Sequence, residues 1–136
     1  MEPHPEPARA CPFCAPEPAR LVAQCPLTRT LRDRFPVSPG HTLVVPRRHV
    51  AGYFEATPAE RSAIQGALLA AREDLLRELA PDGFNIGVND GPAAGQTVMH
   101  LHVHLIPRYR GDQPDPRGGV RRVLPGRADQ WSRVGG

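Results

Sequence analysis

The 136-residue chain has no lysine: all 17 of its basic residues are arginine. With alanine, proline and glycine abundant, this is the codon usage of a GC-rich genome. The excess of positive charge is only +3, 17 basic against 14 acidic residues. Apart from Arg47-Arg48 and Arg121-Arg122 the arginines are dispersed, and no basic, aromatic-studded stripe marks a nucleic-acid-binding face. Long apolar runs are also missing. Nothing approaches the ~18 residues of a transmembrane helix, so no membrane partner is expected. The opening Met-Glu-Pro-His-Pro-Glu-Pro lacks the basic-then-apolar order of a secretory signal, which makes the expected location cytoplasmic. Cysteines number three, an odd count that argues against a disulfide framework. Cys25 stands apart from the other two and is expected to be an inert thiol.

What the chain does have is length enough for one domain with a real core. Residues 1–10 and 111–136 read as poorly patterned ends, the first of them as a disordered segment, and 11–110 as the folded unit. Strand patterns cover 21–24, 28–33, 41–45, 84–88 and 99–106, with Pro-Val-Ser-Pro-Gly (36–40) as a turn between the second and third. A helix begins after Thr57, which forms a capping box with Glu60 and has Pro58 at the first helical position. Ile64, Ala67, Leu68, Ala71, Leu75 and Leu79 then share one face, and Pro81-Asp82-Gly83 ends the element. Five strands and one long helix without strand–helix alternation predict an α+β fold, an antiparallel sheet packed on helix.

The chemistry concentrates in His100-Leu-His102-Val-His104-Leu-Ile106, where three of the six histidines alternate with aliphatic residues. Period two on a strand puts the imidazoles on one face, about 7 Å apart from one to the next. Such a face can present metal ligands, a nucleophilic imidazole, or only a solvated polar surface. The preceding loop, Asn89 to Thr97, is small, polar and glycine-punctuated. It can turn backbone N–H groups and the side chains of Gln96 and Thr97 toward an anion, although it lacks the Gly-Lys-Ser/Thr ending of a Walker loop. A phosphate site beside a nucleophile is the reading that joins the two segments. Cys11-Pro-Phe-Cys14 is a second motif. A redox pair, half of a metal site and an accidental spacing are all open to it, but its proline and alanine flanks lack the helix start that activates redox thiols.

Gly95-Gln-Thr-Val-Met-His-Leu-His-Val-His-Leu-Ile-Pro-Arg108 resembles the signature of the histidine-triad (HIT) superfamily of nucleotide hydrolases and transferases. Pro39 to His49 is similar to a second characteristic segment of that family, and Asn85 to Gly91 fits the strand and loop before the triad. The resemblance covers about residues 11–110. It implies a HIT-like fold of five antiparallel strands with one long and one short helix, and a homodimer. It implies that His102 attacks the α-phosphate of a nucleotide and becomes nucleotidylated. His104 would bond the phosphate or leaving group, and His100 would help position the array. Gln96 and Thr97 would lie beside the phosphates, Asn89 would contact the nucleotide, and Asp33 would accept the ribose hydroxyls. His41 would sit behind the triad.

The same resemblance implies a structural zinc held by Cys11, Cys14, His49 and His100, with no organic cofactor. Transferases of the superfamily commonly carry glutamine at the third triad position, so His104 points to the hydrolase branch. The substrates implied are dinucleoside polyphosphates such as diadenosine tetraphosphate, or nucleoside phosphoramidates. A nucleotidyl transferase using phosphate or a sugar phosphate, and a zinc-stabilised nucleotide-binding module without catalysis, are the alternatives. Residues 111–125 resemble a C-terminal extension of some HIT proteins, on which Trp131 would anchor the tail or dock near a partner or the base.

Overall fold

A computed structural model describes residues 11–127; the segment 1–10 and Trp131 lie outside the described residues. The chain forms β1 (Leu21–Gln24), β2 (Thr28–Arg32), β3 (Thr42–Pro46), α1 (Pro58–Glu78), β4 (Gly83–Val88) and β5 (Val103–Arg108). The five strands make one sheet in the order β1-β2-β3-β5-β4, every neighbouring pair antiparallel. This is the α+β architecture expected. Beside the one α-helix, short helical structure among the described residues is confined to 3-10 segments, Pro18–Arg20, Tyr53–Glu55, Pro92–Ala94 and Gly119–Val123. No helix among them is long and apolar enough to cross a membrane.

Strand β3 is buried along its whole length because both of its faces are covered. On one face Val44 joins Ile64 of the helix, Val50, Leu101 and Val103. Further along that side, Ala71 and Leu75 of α1 pack on Leu105. On the other face Leu43 and Val45 meet Leu31, Cys11 and Phe13. Leu31 pairs with Leu43, and Leu43 with His104, so His104 belongs to the face that the N-terminal cysteine segment covers. The turn at 36–40 requires its glycine: Gly40 has φ +86°, and a Cβ there would come within 2.8 Å of Leu75 Cδ2.

The histidine strand is shorter at its start than the alternation predicts, 103–108 rather than 99–106. The ladder with β3 begins only at Val44↔Val103. Upstream of it the Leu101 N–H bonds the Val50 carbonyl at 2.7 Å, and the Pro46 carbonyl bonds the His100 ring at 2.8 Å. His100 and His102 therefore stand on a segment held by loop and side-chain bonds. Their side-to-side alternation survives, since Leu101 lies in the helix-side core while both rings contact Phe13. Pro107 is tolerated at the far end because β3 pairing stops at Leu105, so only β4 flanks it.

The helix start carries a charge network around a buried carboxylate. Thr57 Oγ1 accepts the Glu60 N–H at 3.0 Å, and Glu60 Oε1 accepts the Thr57 N–H at 2.9 Å. Arg48 grips the same carboxylate through two 2.9 Å bonds. Only 5% of Glu60 is exposed, and the Arg48 bonds outweigh burial, holding its carboxyl down to about 2. A carboxyl whose pKa is depressed on folding stabilises the fold fully above its unfolded pKa and less as pH falls through the folded value. Thr57→Ala is expected to cost about 1 kcal/mol in urea unfolding. Arg48→Ala should lower the unfolding midpoint at pH 7, with the gap from the parent protein closing as pH drops from 4.5 toward 2. A gap that stays constant over that interval would contradict the network.

Candidate active site and metal centre

Four side chains from distant parts of the chain converge beside the end of β3: Cys11, Cys14, His49 and His100. The cysteines share one turn, closed by the Ala15 N–H to the Cys11 carbonyl at 3.1 Å. His49 follows β3 and His100 precedes β5, so the β3–β5 pairing brings the two imidazoles together. The Nδ1 atoms of His49 and His100 are 3.2 Å apart. Cys11 Sγ lies 3.4 Å from His100 Nδ1, and Cys14 Sγ lies 3.2 Å from His49 Nδ1 and 3.5 Å from His100 Nδ1. A tetrahedral zinc with Zn–N of about 2.1 Å and Zn–S of about 2.3 Å spaces its ligands about 3.3–3.8 Å apart. The His100 Nε2–H donates to the Pro46 carbonyl, which leaves Nδ1 with its lone pair toward the thiols. Two thiolates and two imidazoles suit zinc, and four protein ligands leave no position for substrate. The group would supply cross-linking between the cysteine turn, the β3 end and the triad segment.

The neighbouring cavity, of about 370 Å³, is lined by His102 and His104 on the sheet and by Asn89, Gly95 and Thr97 on the loop before them. Around these are Asp33, Arg34 and Phe35 from the end of β2, with Pro12 and Phe13 from the cysteine turn. A larger cavity of about 580 Å³ lies between the sheet and the tail, near Asn85, Arg108 and Tyr109. It contains no histidine, and its Arg108 is tied to Asp112 and Asn85 at 2.7–2.8 Å. The triad histidines His102 and His104 line the smaller one.

The hydrogen bonds assign a proton to each triad ring. His102 Nδ1–H donates to the backbone carbonyl of His100 at 2.8 Å, so its Nε2 carries the lone pair. His41 Nδ1 accepts the Val37 N–H at 3.1 Å, which places its own proton on Nε2. That proton points to His104 Nδ1 at 2.9 Å, and His104 is left with Nε2–H. The result is one lone-pair nitrogen and one N–H donor on adjacent rings, whose centroids are 5.2 Å apart. Burial lowers the His104 pKa to about 4, helped by the neighbouring His102 and His41 and opposed by Asp33, so the ring is a neutral donor at pH 7. Burial likewise depresses His41, against the pull of Asp33. Asp33, His41 and His104 place three potential ligand atoms within 4.8 Å. However, the His41 lone pair is committed to Val37, so the cluster works as a hydrogen-bond relay rather than a metal site.

Gln96 does not face the cavity: its amide donates to the Ala51 and Val98 carbonyls at 2.8 and 3.0 Å, and its carbonyl accepts the Gly91 N–H at 2.8 Å. It is 6% exposed and shapes the loop. A side chain that satisfies three backbone groups from within has no group left for phosphate. The His100 ring faces the cysteines as a member of the Cys/His cluster, and its carbonyl bonds the His102 ring. Thr97, Asn89 and Asp33 do line the cavity. The Asp33 Oδ1 accepts the Phe35 N–H at 2.7 Å, while Oδ2 lies 3.5 Å from His41 Nε2. Sequence reasoning missed Phe13, whose ring centroid sits 4.9 Å from that of His102. The available signal was its place between the two cysteines.

Residues 15–111 match the family model described as the HIT domain. A Mycobacterium tuberculosis protein named AP-4-A phosphorylase is 33% identical over 141 residues, covering 94% of this chain and 71% of its own. The asymmetrical bis(5′-nucleosyl)-tetraphosphatase of Schizosaccharomyces pombe is 39% identical over 77 residues, 57% of this chain and 42% of that protein. Among solved structures, a Zn-bound histidine triad family protein from Mycobacterium smegmatis superposes with a TM-score of 0.69 at 29% identity, over 92% of this chain and 97% of that one. Elemental analysis of protein purified without chelator is expected to find about one zinc per chain. Cys14→Ser should lose the metal and lower the unfolding midpoint by several degrees. Metal-free protein with an unchanged midpoint would argue against the centre.

Proposed function

Since the chain belongs to the HIT domain family, we propose that it hydrolyses a phosphoanhydride or phosphoramidate at the α-phosphate of a nucleotide, through a covalent intermediate on His102. The observation that carries this reading is the His102 Nδ1–H bond to the His100 carbonyl, which leaves Nε2 as a lone-pair nitrogen on a cavity-lining ring. In the first step Nε2 attacks the α-phosphorus and the bond to the leaving group breaks. His104 Nε2–H, neutral and fixed by His41, donates a hydrogen bond that stabilises the charge on the departing atom. In the second step water attacks phosphorus, the P–Nε2 bond breaks, and the water's proton passes to solvent. A nucleoside monophosphate and the free leaving group result. Thr97, Asn89 and the Gly95 region line the phosphate end, and Asp33 lies where an acceptor-only carboxylate can bind ribose hydroxyls. A zinc held by Cys11, Cys14, His49 and His100 would stay outside the reaction and support the His100 segment.

The Mycobacterium tuberculosis relative's name supports a second reading, in which phosphate rather than water resolves the intermediate. The fission-yeast name and the histidine at position 104 support water. Product analysis with and without inorganic phosphate separates them: a nucleoside monophosphate reports hydrolysis and a nucleoside diphosphate reports phosphorolysis. His102→Asn is expected to lower turnover of diadenosine tetraphosphate by at least about a thousandfold while keeping the parent's unfolding midpoint. Labelled nucleotide should be trapped on His102 in the parent protein. Undiminished turnover by the variant, or label on another residue, would reject the nucleophile.

A further inference from the structure

The cavity that holds the triad has a polar end, an apolar middle and one outward cation. Its volume, about 370 Å³, falls in the roughly 300–1,000 Å³ range of small-molecule sites. Asn89, Gly95 and Thr97 belong to the loop that enters the triad, and so to the phosphate end. Pro12, Phe13, Leu43 and Val98 supply the apolar walls, suited to the two faces of a flat ring. Two arginines line the same space. Arg20 is already engaged, to Glu17 at 2.9 Å and to the Arg32 carbonyl at 3.3 Å. Arg34 has no carboxylate partner among the described residues; its guanidinium carbon stands 5.6 Å from the centroid of the Phe35 ring, which is 77% exposed at the cavity rim.

The order along the chain is equally telling. The Asp33 carboxylate reaches His41 in the interior, and its bond to the Phe35 N–H turns the next two residues outward. A nucleotide with its α-phosphate at His102 and its ribose at Asp33 must carry its base toward Arg34 and Phe35. On that reading of the site, which is the one proposed above, we infer that Arg34 selects the base by reading its edge, favouring 6-oxopurines over adenine. A guanidinium donates and cannot accept. Guanine and hypoxanthine offer two adjacent acceptors, O6 and N7, which match its fork. Adenine offers N7 beside an amino group, a donor facing a donor.

Binding of the nucleoside monophosphates tests this without requiring turnover. The full chain should bind IMP and GMP about tenfold or more tightly than AMP in isothermal titration. IMP is the decisive ligand, because it has the 6-oxo group without the 2-amino group of guanine. Arg34→Leu should bring the IMP-to-AMP ratio to about one. Equal affinities in the parent protein would overturn the inference. So would a parallel loss of all three ligands in Arg34→Leu with the ratio preserved, which would assign Arg34 to phosphate. Failure of the underlying hydrolase reading shows elsewhere, as absence of label on His102.

Discussion

Residue 100 is where the two halves of this structure meet, and it serves them with different atoms. Its ring nitrogen Nε2 ties the triad segment to the end of β3 through the Pro46 carbonyl. Its Nδ1 faces two thiols and His49, and its backbone carbonyl holds the His102 ring. Full burial pushes its pKa down to about 4, so the imidazole is neutral and able to offer a lone pair. One residue thus joins the Cys/His cluster and orients the His102 ring without lining the cavity. The short departure from regular strand before Val103 makes this possible, because a fully laddered residue 100 would have its carbonyl engaged across the sheet.

The sheet supplies the rest of the positioning. Burial of β3 on both faces locks its register against α1 on one side and the cysteine turn on the other. That register puts His104 opposite Leu43, and the turn after β2 returns His41 to within 2.9 Å of it. The cysteine turn does two jobs by the same logic. It contributes two thiols to the Cys/His cluster, and the residues between them, Pro12 and Phe13, become a wall of the cavity.

Local signals in the sequence were enough for most of the architecture. Thr57, Pro58 and Glu60 set the helix start by hydrogen-bond chemistry that acts within four residues, and Leu43 to Val45 declared a buried strand by apolar content. The triad's common face was readable from period two alone. The limits of β5 were not, because a ladder depends on which residues of a distant strand are free to pair. The role of Gln96 was also hidden: an amide in a polar loop has the same composition whether it turns to a ligand or to its own backbone. The ligand set joins residues as far apart as Cys11 and His100, a distance no periodicity bridges, and it was available only through the family resemblance. Phe13 needed the fold itself, since nothing near it in the chain points to residue 102.

The His102 and His104 rings differ in what holds their protons. The His102 tautomer is set by a main-chain carbonyl, which every amino acid at position 100 would still possess. The His104 tautomer is set by the His41 imidazole, which in turn depends on the Val37 amide and so on the turn between β2 and β3. A single codon change at position 41 can therefore remove the contact that sets the His104 tautomer, whereas no substitution at position 100 deletes the carbonyl that orients the His102 ring. Drift in such a lineage would be buffered at His102 and unbuffered at His104.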